Sequence, residues 1–175
     1  MRGENLVIRL YGDPILRIKT KKVITIDTKI KKIIADLKVT MLSQDGLGLA
    51  ANQIGESVSI FCYNPKGVGI EKEPIAVINP ELIEQEGQEE REEACLSLPG
   101  IVEVLKRPAM VKIKGISEDG EHIEIKASGL LARVFQHEID HLNGIFFIDR
   151  LSKIRQKMLR TQLEEIAKLS QKIKK

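Results

Sequence analysis

Tryptophan is absent from this chain, and phenylalanine and tyrosine bring the aromatic share to only 3%. Single-stranded nucleic acid would find few rings to stack on, so no specific DNA binding is expected. Cysteine is almost as scarce, with Cys62 and Cys95 the whole complement. A secreted domain stapled by disulfides usually carries more, which points to a reduced, cytoplasmic protein. No run of about 18 apolar residues occurs, so a membrane-spanning helix is excluded. The opening Met1-Arg2-Gly3-Glu4-Asn5 lacks the basic-then-apolar layout of a signal peptide and the Arg- and Ser-rich character of a transit peptide.

What remains is an ordinary composition for one globular domain: 175 residues, 42% hydrophobic and 30% charged. No internal repeat and no long linker divides residues 1–175. The net charge of +3 is unevenly spread. Lys153, Arg155, Lys157, Arg160, Lys168, Lys172, Lys174 and Lys175 face only Glu164 and Glu165 in the segment 151–175, while an acidic run spans Glu81 to Glu93.

Asp13-Pro14 reads as a turn. Ile30, Ile33, Ile34, Leu37 and Met41 repeat at helical spacing over 28–43, with Asp27 or Thr28 as N-cap. A glycine-rich loop, Gly46 to Gln53, follows. Val58, Ile60 and Cys62 alternate with Ser57, Ser59 and Phe61 as a strand, and Ile75-Ala76-Val77-Ile78 forms a short run closed by Asn79-Pro80. Val111–Ile113 and Ile123–Ile125 flank Glu118-Asp119-Gly120 as a hairpin. A second helix starts near Ser128 and ends at Asn143-Gly144. A third occupies the basic tail, where Ile154, Met158, Leu159, Leu163, Ile166 and Leu169 make an apolar stripe. The fold class is α+β: small antiparallel sheets packed around a central helix, with a C-terminal helix.

That central helix carries His137-Glu138-Ile139-Asp140-His141. Residues four apart share a helix face, so both imidazoles can reach one metal ion. Glu138 follows the first ligand and can take a proton from water activated there. A catalytic site of this kind needs a third protein ligand. His122 shares a polar strand face with Glu124 and Lys126, which favours solvent. Cys62 shares an apolar face with Val58 and Ile60, as a small core residue does. Phe147 stands where the long zinc-protease motif places its third His, excluding that subclass. Glu164 and Glu165 lie downstream on the basic helix. Cys95, in a strand-like piece ending at Pro99-Gly100, can be a thiolate ligand or a buried structural cysteine. In the glycine-rich stretch, Gln53 offers an amide donor for an oxyanion.

Three segments together resemble the peptide deformylase family. Gly46-Leu47-Gly48-Leu49-Ala50-Ala51-Asn52-Gln53 resembles its first motif, Glu93-Ala94-Cys95-Leu96-Ser97 its second, and Gln136-His137-Glu138-Ile139-Asp140-His141-Leu142 its third. The opening Gly12-Asp13-Pro14-Ile15-Leu16-Arg17 is similar too, and the resemblance spans about residues 5 to 150. Ala94 departs from the family's usual Gly.

The resemblance implies a metal-dependent hydrolase that removes the N-formyl group from the N-terminal methionine of nascent polypeptides. It implies Cys95, His137 and His141 as metal ligands, Glu138 as acid and base, and Gln53 with the Leu96 backbone N–H as oxyanion donors. The cofactor implied is one divalent ion, Fe(2+) natively, with Zn(2+), Ni(2+) or Co(2+) able to load purified protein because the donor set favours later metals. An extended peptide would lie along Leu47, Gly48 and Ala94, with Leu130 and Val134 walling a methionine slot. The basic tail is expected to dock on the domain, or to meet phosphate at the ribosome. Two alternatives remain: a zinc-type metalloprotease using Glu164 or Glu165, and a non-enzymatic ribosome or RNA adaptor tolerant of Glu138→Ala.

Overall fold

The computed structural model describes residues 2–173. Met1, Lys174 and Lys175 lie outside the described residues, so the last two cations of the tail are not placed. The elements run in the order α1 (Thr28–Ser43), β1 (Gly48–Ala50), β2 (Ile60–Tyr63), β3 (Ile75–Glu86), β4 (Glu89–Ala94), β5 (Val102–Arg107), β6 (Met110–Ile116), β7 (His122–Ser128), α2 (Gly129–Leu142), α3 (Lys153–Met158) and α4 (Arg160–Ile173). An antiparallel sheet of order β1-β2-β3-β6-β7 and a separate antiparallel pair, β4-β5, make the expected α+β arrangement.

The five-stranded sheet sits between two helices, and this explains where its strands depart from simple alternation. On one face α1 packs Ile33, Ile34, Leu37 and Met41 against Leu49, Ile60, Cys62 and Ile78. On the other, α2 packs Ala132, Val134 and Phe135 against Phe61, Val77, Val111 and Ile113. All four residues of β2 are buried. Phe61 is therefore core rather than the polar-side residue that alternation with Cys62 implies.

Asp27 caps α1, its side chain accepting from the Ile30 N–H at 2.9 Å. That satisfies one of the amides a helix start leaves unpaired. Ser128 occupies the N-cap position of α2 without a side-chain capping bond. Helix α2 stops at Asn143, after which Gly144 adopts φ +73° with Arg17 O only 2.6 Å from where a Cβ would stand.

Three further expectations need correction. The Ile75–Ile78 run does not end at Asn79-Pro80, because β3 continues to Glu86 across a register shift against β6. Asn79 takes φ +51° and is pinned there by two 2.8 Å bonds to the Val23 backbone, one accepted and one donated. The chain therefore bulges and re-pairs rather than leaving the sheet. The stretch Gly46–Gln53 is not a loop throughout, since Gly48–Ala50 is β1, paired with β2, and Ala51–Ile54 is a tight 3-10 turn. The tail is two helices rather than one. Its stripe is divided between core and solvent: Leu159 and Ile166 are buried with Leu10, Leu16 and Phe146, while Ile154, Met158 and Leu169 are exposed.

Candidate active site

Helix α2 is buried along most of its length, which carries His137, Glu138 and His141 into the interior. Cys95 follows the last residue of β4 and is also buried. Its Sγ lies 3.1 Å from His141 Nε2, and His141 Nε2 lies 3.1 Å from His137 Nε2. The three ligand atoms all fall within 4.8 Å of one another.

His137 Nδ1 faces a Glu93 carboxylate oxygen at 2.6 Å. A proton held on that side leaves the Nε2 lone pair directed at the thiol and the other imidazole. A thiolate and two ring nitrogens aimed at one point repel each other unless a cation joins them. A sulfur and two imidazoles are also the donors that divalent transition metals prefer. The residues present fit a metal ion, and the chain has a metal-capable Cys/His/His site.

The titration behaviour follows from the surroundings. His137 is pushed well above its ordinary value. Burial opposes this, but its bonds to Cys95 and Glu93 prevail. His141 is held well below by burial and then by the nearby charge of His137. Burial works to raise Glu93 also, yet His137 and Arg107 hold its carboxyl far below the carboxylate range. The thiol and acid that favour a proton on His137 are the same groups that would attract a metal cation.

Glu138 is buried, and burial pushes it up to about 7. Its Oε2 has no hydrogen-bond partner among the described residues. Its Oε1 would stand only 2.6 Å from a Cβ at position 48, and Val134 2.8 Å. Gly48 is therefore required by the close approach of this carboxylate rather than by a turn. Gln53 is fully enclosed: its Oε1 accepts from the Ala50 N–H at 2.9 Å, and its Nε2 donates to Ser97 Oγ at 3.1 Å and towards Cys95 Sγ at 3.7 Å.

A cleft of about 380 Å³ opens beside these groups. Its walls include Leu47, Gly48, Ala94, Leu130 and Val134, together with Gln53, Leu96, Cys95, His137 and Glu138. His141 lies beneath it, 1% exposed. The methyl group of Ala94 is at an exposed position of the lining, and its residue pairs with Val102 across the β4–β5 ladder. The residues set aside as ligands are elsewhere: His122 is exposed at the start of β7, Cys62 is core beneath α1, and Glu164 pairs with Arg160 on the surface of α4.

Sequence reasoning overlooks the charged residues beneath the site. Arg107 and Arg133 both donate to Glu93, and Asp140 accepts from Arg107 and Arg150. Asn52 donates through its side chain to the His141 carbonyl. No pattern in the sequence marks Arg107: β5 alternates Glu103, Leu105 and Arg107 with Val102, Val104 and Lys106, and the valines make the exposed face look like the inward one.

Comparison with known proteins identifies the family. The family model described as polypeptide deformylase matches residues 6–157. A peptide deformylase of Halothermothrix orenii is 45% identical over 155 residues, covering 88% of this chain and 98% of that protein. One from Thermotoga maritima is 43% identical over 162 residues, covering 92% and 96%. Among solved structures, a peptide deformylase from Legionella pneumophila superposes with a TM-score of 0.87 at 38% identity, covering 95% of this chain and 97% of that one. The peptide deformylase from Thermus thermophilus gives 0.87 at 38% identity, covering 94% and 99%.

Proposed function

This chain belongs to the polypeptide deformylase family, and from that premise we propose how its residues divide the work. The reaction is hydrolysis of the formyl amide on the N-terminal methionine of a nascent polypeptide, releasing formate. Cys95, His137 and His141 hold one divalent metal ion, and the carrying observation is the convergence of their Sγ and Nε2 atoms next to Glu138, whose Oε2 has no hydrogen-bond partner among the described residues. When bound, that ion supplies Lewis acidity towards water and the formyl oxygen.

The chain's own groups do the rest. Glu138, held near neutrality by burial, takes a proton from the attacking water and delivers it to the departing methionine nitrogen. The formyl oxygen gains charge as its carbon becomes tetrahedral. Gln53 Nε2 and the Leu96 N–H donate to that oxygen, Gln53 turning an N–H away from Ser97 Oγ or Cys95 Sγ to do so. Glu93 orients His137 through Nδ1. The peptide lies extended along Leu47 and Gly48 on one side and Ala94 on the other, with its methionine between Leu130 and Val134. Residues 1–175 act as one catalytic domain.

The native ion is ferrous iron, with zinc, nickel or cobalt replacing it in air-handled preparations. The working compartment is the cytoplasm, where formylated chains emerge. The exposed cations Lys153, Lys157, Lys168 and Lys172 of α3 and α4 meet ribosomal phosphate. Deleting the tail is a poor test of that contact, because Leu159 and Ile166 belong to the core. Changing the four lysines to glutamine instead should weaken salt-sensitive ribosome binding and leave turnover of short formyl-peptides intact; unaltered binding removes the idea.

The deciding assay is anaerobic incubation with formyl-Met-Ala-Ser, following formate, with elemental analysis of the same sample. Formate release that is lost in Cys95→Ala together with the metal supports the reading. A metal-retaining Cys95→Ala enzyme overturns it.

A further inference from the structure

Strand β5 turns charge, not only hydrocarbon, towards the interior. Glu103, Leu105 and Arg107 are its buried positions, while Val102 and Val104 are exposed. The Arg107 side chain is 3% exposed. Its Nε and Nη2 donate to the two carboxylate oxygens of Glu93 at 2.8 and 2.6 Å, and its Nη1 donates to Asp140 Oδ2 at 2.8 Å. Glu93 precedes Cys95 by two residues at the end of β4, and Asp140 immediately precedes His141 on α2. One guanidinium thus clasps the strand that brings the thiol and the helix that brings the imidazoles. Glu93 also accepts from His137 Nδ1 at 2.6 Å and Arg133 Nη1 at 2.9 Å, and Asp140 from Arg150 Nε at 2.7 Å.

Folding alone gives little reason for this arrangement. Well-packed hydrocarbon commonly replaces a buried ionic cluster without loss of stability, and the five-stranded sheet of this protein is held by hydrocarbon. What hydrocarbon cannot do is fix direction. A planar guanidinium has its donors set at fixed angles, so bonds to both carboxylates specify the separation and the tilt of the elements carrying them.

We infer that Arg107 is a positioning residue for the metal centre: its fork sets the spacing between the Cys95 strand and the face of α2 that carries His137 and His141. This rests on the reading that those three residues hold the ion. Lysine at 107 would keep the charge but reach only as a point, letting β4 and α2 shift relative to each other and opening the angle at which sulfur and nitrogen meet the ion.

The test is Arg107→Lys in the full chain, stripped of metal and reloaded with Co(II). Affinity is measured by competition with a chelator, and ligation by the thiolate-to-cobalt absorption band. The expected result is a loss of cobalt affinity of roughly 10- to 100-fold, the usual range for groups behind metal ligands, with a weakened or shifted band. In steady state kcat on a formyl-methionyl peptide should fall by more than KM changes, because Arg107 lies behind Glu93 and is not itself a wall of the cleft. Arg155→Gln is the matched control, since it breaks the other inward ion pair of β5, Arg155 with Glu103. It should lower the melting temperature and leave cobalt affinity and band at wild-type values.

An Arg107→Lys protein that melts earlier yet binds cobalt with wild-type affinity and spectrum overturns the inference. If that variant does not fold, Asp140→Asn, which leaves the Glu93 fork in place, carries the same readouts. A smaller loss of affinity in the same direction supports the inference, and none overturns it. A wild-type protein without any thiolate band brings down the metal reading itself, and this inference with it. Wild-type ligation with an indifferent Arg107→Lys brings down the inference alone.

Discussion

The two sheets of this molecule obey one geometric rule and use it in opposite ways. In β6 the inward positions Val111 and Ile113 are hydrocarbon, and Met110 at its edge is exposed. In β5 the outward positions are Val102, Val104 and Lys106, and two of three inward ones are charged. The larger sheet is held by shape and dehydration between α1 and α2. The smaller is held to α2 by ionic bonds whose virtue is direction. On the proposed reading, stability is concentrated in the first sheet and placement of the Cys95 sulfur, the proposed ligand, in the second.

That contrast can be broken at several points. The largest effect belongs to neither sheet: Glu138→Gln should lower kcat for formate release by roughly 10²- to 10⁴-fold with the far-ultraviolet circular dichroism unchanged. Next, Ile113→Ala empties a fully buried site of the larger sheet and should cost about 2–5 kcal/mol in denaturant unfolding. Metal affinity of the folded fraction should stay at wild type; a fall in affinity would mean the division between the sheets is wrong. Third, removing the metal with a chelator should speed hydrogen exchange in β4–β5 and the turn at Cys95, because a ligand that binds only the folded state withdraws its stabilisation locally. The amides shared by β3 and β6 should keep their protection, and equal loosening of both sheets would contradict the comparison. The smallest effect sharpens it: Val104→Thr, on an exposed face, should stay within about 0.5 kcal/mol. Val77→Thr, fully buried, should cost about 1–3 kcal/mol for an enclosed hydroxyl.

The same contrast explains what can be read in advance. Where hydrocarbon faces inward, periodicity finds the element: α1 begins at Thr28 behind Asp27, and the β6–β7 hairpin turns at the residues expected. Strand β5 escapes such reading because its valines point outward, so the usual sign is reversed. Strand β3 is cut short because Asn79-Pro80 reads as a stop. Only the pairing of Asn79 with Val23, remote in sequence, converts that stop into a bulge. At the site, His137, Glu138 and His141 are legible from helical spacing alone. Cys95 needs the motif resemblance, since a lone cysteine after a short strand is as good a core residue as a ligand. Arg107 lies beyond both approaches, because its meaning depends on two carboxylates that the chain brings together from opposite directions.

The bare backbone at Gly48 restricts how this enzyme can vary. A methyl group at 48 would occupy space that Glu138 Oε1 and Val134 already hold, so positions 48 and 138 behave as one choice rather than two. Reshaping the cleft is therefore easier at its flanks, Leu47 or Leu130 among them, because side-chain bulk gained at 48 is taken directly from Glu138, the proposed acid–base group.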